Sequence, residues 1–284
     1  MPILVDLNQV MISNMMVQIG NHKNAQVDES MIRHMVLNSL RFNRKKFHEK
    51  YGEFVICCDD TNYWRRSYFP YYKASRKKAR QESELDWNAI FTALNNVREE
   101  LKTFFPYKVI QIPTAEADDI IGTVVHSEGT PLNTGEPILI LSGDKDYIQL
   151  HKYANVDQWD PTRKRWIKHS DAEKYLAEHI IKGDVGDGIP NVLSPDNCLV
   201  VGQRQKPVTK KRIEMFEDIN NLDETLKRNW ARNKKLIDLS EVPESIKEQI
   251  LDVYGEENDK DRSQLFNYFI KNKLKFLMES IQDF

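Results

Sequence analysis

Apolar and polar positions along the chain follow two rhythms. Residues 2–5 form a short apolar run that stops at Asp6, and residues 54–58 form another that stops at Asp59. Runs of this length bounded by polar residues predict buried strands. Between them Met31, Ile32, Met35, Val36, Ser39 and Leu40 keep helical spacing, and Trp87, Ile90, Phe91, Leu94, Val97 and Leu101 do so further on. Both sets predict amphipathic helices. Residues 107–112 give a third strand, 117–125 a helix that Thr114 would cap, and 137–141 a fourth strand leading into Ser142-Gly143-Asp144. This alternation predicts an α/β fold, with a mostly parallel central sheet flanked by helices and a crevice beyond the carboxyl ends of the strands. Past about residue 170 the strand pattern fades into short helical stretches at 172–181, 210–216, 223–231, 244–254 and 263–269. A hairpin at 156–159 and 166–169 is expected to divide a core over residues 1–170 from a helical part over 171–284.

Composition narrows the class. With 284 residues and 40% hydrophobic positions the chain can bury a core, and no apolar run approaches the roughly 20 residues that span a bilayer. No charged-then-apolar leader follows Met1, and the three cysteines form no CxxC pair, so a reduced, cytoplasmic setting without a membrane is expected.

The net charge of −2 hides an uneven distribution. Residues 61–81 contain no acid, yet carry Arg65, Arg66, Lys73, Arg76, Lys77, Lys78 and Arg80 among Tyr63, Trp64, Tyr68, Phe69, Tyr71 and Tyr72. Cations interleaved with stackable rings suit single-stranded nucleic acid. Arg204, Lys206, Lys210, Lys211 and Arg212 make a second basic stretch, and Lys227, Arg228, Arg232, Lys234 and Lys235 a third, which reads equally well as a solvated face.

Nine acids stand at strand ends or in tight loop motifs: Asp6, Asp59, Glu116, Asp118, Asp119, Asp144, Asp146, Asp184 and Asp187. Setting these nine aside turns the net charge of −2 into +7, so the acidity is local and the remaining surface is basic. Crowded carboxylates without a cation would repel one another, which points to bound divalent metal with hard oxygen ligands, Mg²⁺ or Mn²⁺. Zinc is disfavoured because the seven histidines form neither HExxH nor HxH, and they read as scattered surface or core residues. A phosphatase of the haloacid-dehalogenase type would want a second carboxylate two residues after the first, where this chain has Asn8.

An Asp closing the first strand, then VICCD, WRRSYFPYYKASR, AEADD, SGDKDYIQL and GDVGDGIPNV in that order, resemble the structure-specific 5′ nucleases. That family includes flap endonucleases and the 5′-nuclease domains of bacterial DNA polymerases, and its phage RNase H branch matches in chain length and motif order. The resemblance implies a PIN-like nuclease core, a helical arch at about 61–82, and a helical DNA-binding part with a helix–loop–helix beginning at Gly183. It implies two Mg²⁺ ions, for which Mn²⁺ would substitute, held or supported by Asp6, Asp59, Glu116, Asp118, Asp144 and Asp146. Asp119 and Asp187 would lie nearby and Asp184 farther out. Tyr72, Lys73 and Arg76 inherit stacking and phosphate-stabilising roles, so Lys73 and Arg76 join Asp144 and Asp146 as expected catalytic residues.

Arg65, Arg66, Lys77, Lys78 and Arg80 would touch nucleic acid at the arch. Where family members carry a glycine-rich hairpin after the GDVGDG loop, this chain has the single Gly202, so Arg204, Lys206, Lys210 and Lys211 would grip duplex phosphates through side chains. The implied activity is metal-assisted hydrolysis of phosphodiesters near the 5′ end of RNA–DNA duplexes, DNA duplexes and 5′ flaps, removing primers during lagging-strand replication. The implied setting is a monomer, in host cytoplasm if phage-encoded, with a single-strand-binding protein and a sliding clamp as partners. The competing reading is a catalytically silent binder of branched or flapped DNA.

Overall fold

The computed structural model describes residues 1–21, 28–128 and 135–284, the side chains of residues 18–21 and 78 excepted. Its strands are Pro2–Asp6 (β1), Glu53–Cys58 (β2), Lys108–Gln111 (β3), Ile138–Leu141 (β4), Val156–Asp160 (β5) and Arg165–Ile167 (β6). They form one sheet in the order β3-β2-β1-β4-β5-β6. Every pairing is parallel except β5 with β6. The hairpin expected to separate two parts therefore completes the sheet, because β5 adds alongside β4 in register with Ile138 to Leu141.

Connections run outward from β1 in both directions, so the strand order reverses between β1 and β4. In open parallel sheets that reversal opens a crevice at the carboxyl ends. Asp6 ends β1, Asp59 follows β2, and Ser142-Gly143-Asp144 follows β4, which brings three sequence-distant acids to one rim.

Both faces are covered, which explains the uninterrupted burial of β1 and β4. On one face Ile3 and Val5 pack against Leu7–Asn21 (α1), Glu29–Tyr51 (α2) and Trp87–Phe104 (α5). On the other, Leu4 and Ile140 pack against Ala117–Glu128 (α6) and the later Glu244–Gly255 (α10). The helix α1 was not anticipated. It follows β1 without a loop, and its apolar residues crowd too densely to show a period; Asp6 accepts the Gln9 N–H at 3.1 Å and so caps it. Asp28, Asp86 and Asp171 cap α2, α5 and Ala172–Lys182 (α7) in the same way, each worth about 1 kcal/mol.

The basic segment folds as two short helices, Trp64–Tyr68 (α3) and Ala74–Gln81 (α4), joined through Lys73 in the left-handed region at φ 55°. Lys210–Glu214 (α8) and Glu224–Ile237 (α9) follow the GDVGDG loop, and α9 runs six residues beyond its expected end at 231. Leu265–Lys271 (α11), Lys275–Met278 (α12) and the terminal Phe284 return to the α2 and α5 face and share its core.

Candidate metal centre beneath a basic arch

A cavity of about 430 Å³ opens at the switch point, lined by Asp6, Asp59, Glu116, Asp118, Asp144, Asp146, Asp184 and Asp187 together with Lys73 and Arg76. Local folding explains how each acid arrives. Asp6 leaves its second oxygen to the Ser142 and Tyr147 hydroxyls, both at 3.1 Å. Asp59 accepts the Ala117 N–H at 2.8 Å and the Asn8 amide at 2.7 Å, tying β2 to the start of α6. The SGDKD loop is folded by its own polar groups: Asp144 N–H donates to Ser142 Oγ, Asp146 N–H to Asp144 Oδ1, and the buried Gln158 amide reaches the carbonyls of Ser142 and Asp144.

Burial and mutual repulsion set the electrostatics. Burial, followed by the charges of Asp59 and Asp144, pushes the Asp6 carboxyl up to about 7. Burial and then Asp144 push Asp146 up to about 8. Asp118 lies well above the ordinary carboxylate range, and Asp59 and Asp144 are also raised, with burial the largest cause in each. Two acids go the other way. At Glu116 burial is outweighed by Lys73 and Arg65, and at Asp184 the His179 hydrogen bond holds the carboxyl down.

Oxygen-rich, crowded and lacking enough cations of its own, this donor set fits hard divalent ions, which would remove the repulsion that raises these carboxyls. Asp146, His179 and Asp184 also bring ligand atoms within 4.8 Å of one another. His179 was expected to be one of the scattered histidines. It projects from α7 between Asp146 and Asp184, at 3.6 Å and 3.5 Å, and belongs to no spacing motif that could have marked it. Asp184, expected farther out, lines the cavity.

Other placements correct the expectations. Asp119 does not face the cavity. Successive helix residues point about 100° apart, so with Asp118 inward Asp119 turns into the protein. There it is fully buried, accepting from Trp64 Nε1 at 3.0 Å and the Glu116 N–H at 2.9 Å, with Arg65 Nη2 at 2.7 Å. That bond to Glu116, not Thr114, caps α6; Thr114 sits at φ 65° and donates its N–H to Asp60.

Arg65 is likewise interior. It pairs with Glu116 at 3.0 Å and Asp119 and donates to the Leu236 carbonyl, so it cannot reach nucleic acid. Tyr72 is buried too, its hydroxyl within 2.8 Å of Glu116 and 3.0 Å of Asp187, which removes its ring from stacking. Such contacts fasten the base of the arch to Glu116 and Asp187 of the cavity and to the interior Asp119. A segment without internal acids must find partners elsewhere once it is buried.

The exposed cations of the arch are Arg66, Arg76, Lys77 and Arg80, of which Arg76 lines the cavity; the Lys78 side chain lies outside the described residues. Lys73 is mostly buried, and its ammonium bonds Glu116 and approaches Asp187 at 3.4 Å. Arg76 pairs with the other Asp187 oxygen. Arch and loop are also joined through backbone. The Lys73 N–H donates to the Asp187 carbonyl at 2.7 Å, and Gly188, at φ 75°, packs against the Tyr71 carbonyl.

The two remaining basic stretches separate clearly. Arg204, Lys206, Lys210 and Lys211 are exposed and pair with no carboxylate among the described residues. In the last run Arg228 and Arg232 are engaged by Asp196, Lys234 and Lys235 by Glu241, and Lys227 by Glu224. No helix among the described residues is long and apolar enough to cross a membrane.

Comparison with known proteins gives this architecture a lineage. Residues 3–180 match the family described as 5′-3′ exonuclease, N-terminal resolvase-like domain, and residues 170–284 match T4 RNase H, C terminal. The Ribonuclease H of Enterobacteria phage T4 is 35% identical over 294 residues, spanning 99% of this chain and 95% of that protein. Flap endonuclease Xni of Shewanella woodyi is 23% identical over 68% of this chain and 71% of its own length. Among solved structures, the D15 flap endonuclease of bacteriophage T5, in a complex with DNA and metal ions, superimposes with a TM-score of 0.61 over 90% of this chain and 99% of that one, at 18% identity. Sheet, arch and acidic crevice thus coincide with a match across nearly every residue, and the chain belongs to the 5′-3′ exonuclease family, as a flap-nuclease relative of phage T4 RNase H.

Proposed function

We propose that the protein is a Mg²⁺-dependent 5′ nuclease, able to use Mn²⁺, that hydrolyses phosphodiesters near the 5′ ends of RNA–DNA duplexes, DNA duplexes and 5′ flaps. Its task is primer removal on the lagging strand, beside a single-strand-binding protein and a sliding clamp. One observation carries the reading: eight carboxylates share a cavity with Lys73 and Arg76 of the arch. The names of the phage T4 relative, a ribonuclease H, and of the T5 neighbour, a flap endonuclease seen with DNA and metal ions, support the substrate classes.

Asp6, Asp59, Asp118, Asp144 and Asp146, with Glu116 behind them, would hold the ions. Bound divalent ions supply Lewis-acid charge at the scissile phosphate and make a bound water acidic. Lys73 and Arg76 face the same cavity and would take charge developing on the phosphate, in a site where burial strengthens each ion pair. For this they must exchange their carboxylate partners, Glu116 and Asp187, for phosphate. Residues 1–170 carry the chemistry in this reading, and 171–284 grip duplex through Arg204, Lys206, Lys210 and Lys211.

Cleavage of 5′-labelled flap DNA and RNA–DNA duplexes, measured with Mg²⁺, Mn²⁺ and EDTA, tests the proposal. Short 5′ products that vanish in EDTA are expected. Tight binding of both substrates without cleavage under either metal would refute it in favour of the silent binder.

A further inference from the structure

Tyr147 stands immediately after the SGDKD acids, at the start of the short 3₁₀ helix Asp146–Lys152. Its ring is fully buried in the core on the α6 side of the sheet, yet its hydroxyl emerges among the acids. It lies 2.6 Å from Asp118 Oδ1 and 3.1 Å from Asp6 Oδ2. These carboxylates come from different elements, the end of β1 and the first turn of α6. The two are not equally supported. Asp6 has the Gln9 N–H and the Ser142 hydroxyl as further donors, whereas Tyr147 is the one donor that reaches the Asp118 carboxylate among the described residues.

A phenol carries a single proton, so the 2.6 Å contact, shorter than the 3.1 Å one, makes Asp118 its principal acceptor. Bonded there, Oδ1 is held against the protein wall and Oδ2 is left for the cavity that Asp118 lines. Losing a donor that fixes the orientation of a metal ligand typically costs about 10- to 100-fold in metal affinity.

The geometry points to Tyr147 as a positioning residue for the metal centre, acting through its hydroxyl on Asp118 and secondarily on Asp6. This rests on the nuclease reading above and extends it to a residue that is not among those lining the cavity. The ring contributes packing; the hydroxyl is what orients Asp118, and it shares Asp6 with the Gln9 N–H and the Ser142 hydroxyl.

Tyr147→Phe isolates the effect, since it removes one oxygen and keeps the buried ring. Mn²⁺ binding to the full-length protein without DNA, followed by titration calorimetry, is expected to weaken about 10- to 100-fold. The unfolding midpoint in EDTA and the affinity for duplex in the absence of divalent metal should stay near wild type. In an Asp118→Asn background the same substitution should produce little further loss, because the group it orients is already altered. Unchanged Mn²⁺ affinity in Tyr147→Phe would overturn the inference, as would an equal loss in the Asp118→Asn background. Failure of the wild-type protein to bind Mn²⁺ would instead overturn the nuclease reading, and the inference with it.

Discussion

Gly188→Ala tests whether the arch is positioned by the loop that follows α7. A Cβ on Gly188 would sit 2.7 Å from the Tyr71 carbonyl oxygen and 3.3 Å from the Lys73 nitrogen, where ordinary contact begins at 3.4 Å. Both neighbours are backbone and cannot swing aside. The arch base must therefore retreat by about 0.7 Å, the difference between 2.7 Å and 3.4 Å. That is enough to loosen the 2.7 Å bond from Lys73 N–H to the Asp187 carbonyl and to shift the Lys73 and Arg76 side chains from the cavity. Misplacing a catalytic group by about 1 Å can reduce a rate about 10²-fold, so a loss of about 10- to 100-fold in the chemical step is expected.

Alanine at positive φ also carries a backbone penalty of about 1–2 kcal/mol, which must be separated from the steric effect. Gly202→Ala supplies the control, because Gly202 has φ 70° and nothing within 4 Å of the added Cβ. Single-turnover cleavage of a 5′-flap substrate at saturating Mg²⁺, with denaturant unfolding of both variants, distinguishes the two contributions. Both should lose the backbone penalty in stability, Gly188→Ala more because of the added clash, and only Gly188→Ala should lose rate. Equal slowing in both variants, or a Gly188→Ala rate near wild type, would refute the coupling of arch and loop.

Asp144→Asn or Asp146→Asn should abolish Mg²⁺-dependent cleavage while leaving duplex affinity largely intact in a binding assay, since the lost ligand acts mainly in the transition state. Lys73→Ala and Arg76→Ala should each lower the single-turnover rate by about 10²-fold or more; a change confined to substrate affinity would make the arch a docking surface. Replacing Lys210 and Lys211 together by Ala should weaken duplex binding irrespective of sequence and flatten the log affinity against log salt slope by about 0.9 per lost phosphate contact, with the cleavage rate on saturated enzyme unchanged. In EDTA, stability should fall as pH rises from about 6.5 towards 9. The folded state holds protons on Asp6 up to about 7 and on Asp146 up to about 8, which the unfolded chain has already released, and the raised His179 adds in the same direction. Thermal unfolding with and without Mn²⁺ checks this; a rising midpoint in EDTA over that range would contradict it.

Much of the fold was legible because it rests on local pattern. Apolar runs ending at Asp6, Asp59 and Leu141 became parallel strands, and the helical spacing at 31–40 and 87–101 became α2 and α5. The acids of the crevice were legible as a group, since strand ends in an alternating α/β chain converge whatever lies between them. Which acids face the cavity was not legible. Asp118 and Asp119 are neighbours of identical chemistry, and only the seating of α6 against the sheet turns one towards the cavity and the other into the grip of Trp64 and Arg65. The same holds for the arch, where composition marks a cationic, aromatic segment but burial decides that Arg65 and Tyr72 serve the protein while Arg66, Arg76, Lys77 and Arg80 remain available. His179 and Tyr147 come to the site from helices whose spacing announces nothing. Periodicity depends on neighbours a few residues away and so is written along the chain, whereas the direction of a side chain at a crevice depends on contacts a hundred residues apart, which only tertiary packing creates.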